Sequence, residues 1–319
     1  MPLIKNSTYK APFLLRNAHT NTVYAALVRK VPGVFYEREV LDTPDGDFLD
    51  LDWSFVKSDK LVIVLHGLEG SADRPYMLGM IREFNRSGWD GLGFNFRGCS
   101  GRLNRKAASY HMGWTQDLEF VIEHILNLDK YREVVLVGFS LGGNVILNYL
   151  GRKGSAVPKL VKKAVTFSVP CDIVSANVEI HKMKNRLYLK RFIISLNEKV
   201  REKAKTFPDE LTFDPKNPPR DFYEFDELYT APLNGFASNQ DYWIKNSCID
   251  VLPAIQVPTI LINAADDTFL SPPCFPFELA EKHSFFHFEA PKYGGHVGFI
   301  SFDKDGSIWS EKRALEFAK

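Results

Sequence analysis

From residue 61 onward, short apolar runs bounded by glycine or aspartate alternate with stretches of helical spacing, a rhythm that few architectures accommodate. The runs are LVIVL (61–65), GLGFNF (91–96), VVLVG (134–138), LVKKAVTFS (160–168), TILINA (259–264) and FFHFEA (285–290). Between them lie PYMLGMIREFNRSG (75–88), TQDLEFVIEHILNL (115–128), GGNVILNYLGRK (142–153) and PFELAEKH (276–283). Runs this short and this apolar suit strands covered on both faces, and the intervening stretches supply the covering helices. Ahead of them VFYEREVLDT, the turn PDGD and FLDLDWSFV (34–56) alternate as an antiparallel hairpin. The expectation is an α/β fold in one domain over 1–319: a mostly parallel central sheet, helices on both faces and an N-terminal antiparallel hairpin. Residues 1–33 read as an irregular arm. Residues from about 172 to 250 lack buried-strand runs and read as a helical cap inserted over the sheet.

One strand-to-helix junction carries chemistry. In VVLVGFSLGGN (134–144), Gly138-Phe-Ser140-Leu-Gly142 follows a β-rich run and opens a helical one, the context in which G-x-S-x-G presents a serine nucleophile. A serine hydroxyl needs a base to take its proton, a third group to orient that base, and donors for the oxyanion. Glycines at 138 and 142 leave room for the sharp bend, and the helix behind Ser140 adds its N-terminal partial positive charge. An acid and then a histidine should follow, each at a strand end. Asp266-Asp267 closes TILINA, and Asp267, which leads into Thr-Phe-Leu, is taken as the acid, with Asp266 as a turn-former or supporting carboxylate. His296 follows the last strand in the Gly-rich loop KYGGHVGF and is taken as the base. His283 and His287 read as sheet-surface residues, His124 belongs to a helix, and His181 to the cap. The oxyanion donors are expected to be the backbone N–H groups of Leu141 and Leu68. The second lies in His66-Gly67-Leu68-Glu69-Gly70, where His66 and Gly67 shape the turn and His66 does no acid–base work.

The remaining composition mainly excludes. Formal net charge is +1, so no overall field favours nucleic acid. Cys99, Cys171, Cys248 and Cys274 are widely spaced without a CxxC pair and read as reduced thiols, not a disulfide framework. No metal-ligand spacing, Walker loop or G-x-G-x-x-G after a strand occurs, so no metal, nucleotide or other cofactor is expected. FDKDGSI (302–308) mimics an EF-hand opening but lacks its closing Glu, and reads as a hairpin turn. No signal peptide or membrane-spanning run is recognised, and the expected compartment is the cytoplasm. The segment 182–205 carries nine Lys/Arg against two Glu. It reads as a solvated helix face with Leu187 and Ile194 packed inward, in preference to a face for an anionic substrate or a membrane surface.

With these residues in place, the chain resembles the α/β-hydrolase superfamily and, within it, the YheT-like esterases, related to plant embryogenesis-associated proteins and animal α/β-hydrolase-domain lipases. The resemblance runs nearly end to end through RNAHTNT (16–22), HGLEGS (66–71), NFRGCSG (95–101), YHMGWTQDL (110–118), GFSLGGN (138–144), NAADDTF (263–269) and GGHVGF (294–299). It implies a Ser140–His296–Asp267 triad, hydrolysis of carboxylic esters and no cofactor. Ala18 stands where the family pattern has proline, and the apolar N-terminal anchor of the membrane-linked relatives is not seen. His111 and Asp117 have five intervening residues rather than the four of the related acyltransferase signature, and read as a loop-packing residue and a first-turn helix acid. The expected partner is a small ester with an apolar acyl group, lodged among cap aromatics drawn from Phe192, Phe222, Tyr223, Phe236, Tyr242 and Trp243. Rival readings are a thioesterase or acyltransferase using the same triad, and a catalytically silent binding module of the same fold. A dehalogenase or epoxide hydrolase would carry Asp at position 140.

Overall fold

Leu61, Ile63 and Leu65 alternate with Val62 and Val64, and all five are fully buried, because the two sets enter hydrophobic cores on opposite faces of one sheet. A computed structural model describes residues 2–319. Among the described residues nine strands form that sheet: β1 (Leu3–Ile4), β2 (Glu37–Asp42), β3 (Phe48–Ser54), β4 (Lys60–Leu65), β5 (Asp90–Phe94), β6 (Glu133–Phe139), β7 (Val161–Phe167), β8 (Thr259–Ile262) and β9 (Phe286–Glu289). Their spatial order is β1-β9-β8-β7-β6-β4-β5-β3-β2. The run from β5 to β1 is parallel throughout, while β3 pairs antiparallel with both β5 and β2. The expected hairpin and the expected parallel strands are all present.

The helices are α1 (Ala18–Val23), α2 (Pro75–Arg86), α3 (Gln116–Asn127), α4 (Leu141–Lys153), α5 (Ile173–Ile180), α6 (Arg186–Thr206), α7 (Phe222–Phe225), α8 (Ala231–Leu233), α9 (Asn239–Asn246), α10 (Phe277–Lys282) and α11 (Trp309–Ala318). One core joins α3 and α4 to the sheet through Leu118, Ile122, Val145 and Leu150. The other joins α2 and α11 through Met77, Phe84, Ala314 and Leu315. Helices α5 to α9 fill the interval between β7 and β8. Ile193, Val200, Leu211, Phe225 and Tyr229 give that segment a hydrophobic cluster of its own.

Three expectations need correction. Residues 2–33 are not irregular throughout: β1 adds to the sheet edge beside β9, and α1 is capped by Asn17, whose side chain accepts from the His19 and Thr20 N–H groups. FDKDGSI is no hairpin turn. The Gly306 N–H closes a turn on the Asp303 carbonyl at 2.9 Å, and the chain then enters α11 rather than a second strand. In α6 it is Ile193 and Val200 that pack inward, while Leu187 and Ile194 face outward.

Candidate active site

Ser140 sits at the tight junction of β6 and α4 with φ +52° and ψ −117°, a strained conformation for a residue with a side chain. Its N–H donates to the Phe167 carbonyl on β7 at 2.8 Å, and its own carbonyl accepts from Asn144 N–H at 3.0 Å, so neighbouring elements hold the bend. The glycines are required by space. A Cβ on Gly138 would lie 2.7 Å from the Gly142 carbonyl and the Gly143 backbone, and one on Gly142 would lie 2.6 Å from the Leu65 and His66 carbonyls. At Gly67 a Cβ would press on the Ser140 Cβ at 3.3 Å. The helix can therefore cross directly over the ends of β4 and β6.

Strand β8 ends at Ile262, and Asp267 follows in a turn in which its N–H donates to the Ala264 carbonyl at 3.0 Å. One carboxylate oxygen accepts from Phe269 N–H at 3.0 Å; the other lies 2.9 Å from His296 Nδ1. His296 Nε2 lies 3.0 Å from Ser140 Oγ. With a carboxylate at Nδ1, that nitrogen carries the proton and Nε2 is left to accept from the serine. Phe269 stacks on the imidazole, ring centroids 4.2 Å apart and 26° between planes, which restrains ring rotation. Asp266 faces elsewhere: one oxygen accepts from Gly295 N–H at 2.9 Å and the other is buried with no partner, and burial holds its carboxyl above the ordinary range. It anchors the histidine loop rather than the imidazole.

His66 is fully buried, with Nδ1 2.7 Å from the Gly67 carbonyl and Nε2 accepting from Phe96 N–H at 3.2 Å. Burial pushes its pKa down to about 4, so it stays neutral. Because C=O and N–H point oppositely across a trans peptide, fixing the Gly67 carbonyl on His66 aims Leu68 N–H away from it. That N–H takes no acceptor among the described residues. Leu141 is the first residue of α4, where an N–H has no intrahelical acceptor. Leu68, Leu141, Ser140 and His296 line one cavity of about 160 Å³. Of the cap aromatics expected there, Phe192, Phe222, Tyr242 and Trp243 line it; Tyr223 and Phe236 do not. His111 also lines it, packed edge-on against Trp114, Phe236 and Tyr242, and burial lowers its pKa to about 3. Asp226 lines the same cavity, accepting from Thr230 Oγ1 and Trp243 Nε1, and burial raises its pKa to about 6.

Several contributors lie outside the sequence reading. Thr22 Oγ1 accepts from His296 N–H at 2.8 Å, so RNAHTNT supports the His296 loop from a distant part of the chain. Asn21 adds to this, accepting from Ile300 N–H at 3.2 Å. Glu69, next to Leu68, is buried against α6: its carboxylate accepts from Lys199 Nζ at 2.6 Å, Ser195 Oγ at 2.7 Å and Tyr110 OH at 3.1 Å. Asp117 is a first-turn acid of α3, as expected, but its main bond is a two-pronged pair with Arg97 at 2.8 and 2.7 Å. Arg97 also reaches Asp45 and Asp47, fastening the Arg-Gly-Cys-Ser-Gly loop to the hairpin turn.

A family model described as alpha/beta hydrolase fold matches residues 60–273. YheT of Escherichia coli (strain K12) is 32% identical over 290 residues, 89% of this chain and 84% of that protein. Phospholipase ABHD3 of Mus musculus is 27% identical over 307 residues, 93% of this chain and 74% of that protein. Among solved structures, the Pyrococcus furiosus esterase Pf2001 superposes with a TM-score of 0.62 at 20% identity, covering 91% of this chain and 94% of that one, a likeness of fold.

Proposed function

Proceeding from the chain's membership of the α/β-hydrolase family, in its YheT-like branch, we propose that this hydrolase cleaves carboxylic esters through an acyl-enzyme on Ser140. The observation that carries the reading is the continuous hydrogen-bonded line Asp267–His296–Ser140, ending on a serine held at positive φ. Ser140 Oγ attacks the ester carbonyl while His296 Nε2 takes its proton, and Asp267 orients the imidazole and stabilises its charge. The tetrahedral oxygen settles on the N–H groups of Leu68 and Leu141, each such donor being worth roughly 10²–10³ in turnover. His296 then protonates the departing alcohol, and water repeats the cycle on the acyl-enzyme. Phe192, Phe222, Ile173 and Ile180 make the cavity wall suitable for an apolar acyl group.

The test is labelling with a fluorophosphonate probe beside turnover of an acyl-length series of aryl esters. The wild type should label and turn over, and Ser140→Ala should do neither. Equal labelling of both proteins would end the nucleophile assignment. Labelling without turnover of any ester would move the reading to thioester cleavage or acyl transfer.

A further inference from the structure

The inward face of α6 (Tyr188, Phe192, Leu196, Lys199) belongs to the surroundings of the cavity, which leaves its outward face to be explained. On that face Leu187 is 81% exposed and Ile194 48%, spaced seven residues apart, with Lys190 and Arg191 exposed between them. Most cations of this basic segment are already satisfied. Lys199 pairs with Glu69, and Lys203 is buried against the carbonyls of 106–108. Lys182 and Lys184 pair with Glu179, and Arg201 and Lys205 with Glu202. Arg186, Lys190 and Arg191 have no carboxylate partner among the described residues. A second exposed apolar pair, Phe13 and Leu14, belongs to the segment that meets α6 at Tyr188: Thr20 Oγ1 donates to the Leu14 carbonyl at 3.2 Å. His19 stacks on Tyr188 at 5.7 Å and bonds its hydroxyl at 3.1 Å. Tyr188 in turn packs on Phe269, and Phe269 on His296.

We propose that this outward stripe of α6 docks the protein on an anionic lipid surface next to the candidate active site. The charge pattern selects that occupant. Covering Leu187 and Ile194 with a protein would strip water from three unpaired cations and require carboxylates placed to match. An anionic lipid surface supplies diffuse negative charge and apolar depth together, which is what aliphatic side chains interleaved with Lys and Arg engage. Docking here needs no contact with Ser140, so vesicle binding is measured independently of the catalytic reading. No helix among the described residues is long and apolar enough to cross a membrane, and the proposed mode is surface attachment.

The experiment is co-sedimentation of the full chain with vesicles of phosphatidylcholine alone and of phosphatidylcholine mixed with phosphatidylserine. The wild type should pellet with the mixed vesicles and be released by added salt. Lys190→Gln/Arg191→Gln should weaken binding about 25-fold, at roughly fivefold per charge removed. Leu187→Ser/Ile194→Ser should weaken it roughly tenfold and leave residual binding more salt-sensitive. Arg132→Gln/Lys162→Gln makes the same change in net charge at the opposite end of the sheet and should stay within twofold of wild type. Failure of the wild type to bind mixed vesicles, or an equal loss in the control, overturns the proposal. So does a wild-type dimer that Leu187→Ser/Ile194→Ser dissolves, which would assign the face to a second copy of the chain. Ser140→Ala should bind vesicles like wild type, so loss of the catalytic reading and loss of this one are separate results.

Discussion

Replacing Lys199 by methionine isolates the link between α6 and the proposed oxyanion loop. Both side chains of the Lys199–Glu69 pair are nearly buried, with 13% and 8% exposed, and the ammonium lies 2.6 Å from the carboxylate. Methionine keeps most of the aliphatic stem and removes the charge, leaving the carboxylate with the Ser195 and Tyr110 hydroxyls as donors. Stranding one member of a buried pair costs about 3–5 kcal/mol, and the surviving donors place this case at about 3 kcal/mol. For a chain of 319 residues the entropy of unfolding is about 0.7 kcal/mol/K, so the melting temperature should fall roughly 4–5 °C. Glu69→Gln/Lys199→Met, which strands no charge, should recover most of that loss. The pH dependence has a definite sign. Burial alone would raise the Glu69 carboxyl, but Lys199 and the hydroxyl donors outweigh it and hold the group below the ordinary glutamate range. In the wild type its contribution to stability is therefore full above the unfolded pKa and is lost as pH falls through the lowered folded value. Without Lys199, burial dominates and the folded value rises above the unfolded one. The variant is then penalised at neutral pH and relieved on acidification through the carboxylate range. Because Glu69 adjoins Leu68, kcat on a short aryl ester should also drop about tenfold, inside the roughly 10²–10³ ceiling for a lost oxyanion donor. Scanning calorimetry and steady-state kinetics at pH 5 and pH 7 read both effects. A melting temperature and kcat unchanged at pH 7, or a stability deficit that widens on acidification, would refute the reasoning.

The two adjacent aspartates make a paired prediction. Asp267→Asn should cut kcat by about 10³–10⁴, since an amide at His296 Nδ1 favours the wrong tautomer. Asp266→Asn keeps an oxygen for Gly295 N–H and should lose less than tenfold, and the reverse ranking in ester kinetics would reassign the acid. Thr22→Val removes the acceptor of His296 N–H in a side chain of the same shape, an unsatisfied donor worth about 1–3 kcal/mol. It should lower kcat several-fold, with Thr22→Ser restoring it, whereas equal loss in both variants would point to packing alone.

What was legible in the sequence, and what was not, follows from the range of the interactions. The buried strands announce themselves because β4 is covered on both faces, so Leu61 through Leu65 are apolar without a gap. The serine, acid and histidine could be ordered because each follows a strand at the same edge of the sheet. By contrast β1 has two residues and α1 has six, too few for either periodicity to register. Their roles rest on contacts such as Thr22 with His296, 274 residues apart in sequence. Glu69 and Lys199 are 130 residues apart, and nothing local marks either as a partner for the other. The misjudged face of α6 is more instructive. Ile193 and Val200 are seven residues apart, and so are Leu187 and Ile194; both pairs form stripes along the same helix, roughly a third of a turn apart. Periodicity establishes that stripes exist but not which one meets the core. That is decided by Leu211, Phe225 and Tyr229, distant residues that receive Ile193 and Val200 and leave Leu187 and Ile194 uncovered. Since α6 also presents Phe192 to the cavity and Lys199 to Glu69, any load on the outer stripe bears on a helix that braces the Leu68–Glu69 loop. The proposed attachment at a lipid surface and the proposed alignment of Leu68 N–H therefore share one rigid element. Adding anionic vesicles should consequently alter kcat in the wild type and leave it unaltered in Lys190→Gln/Arg191→Gln.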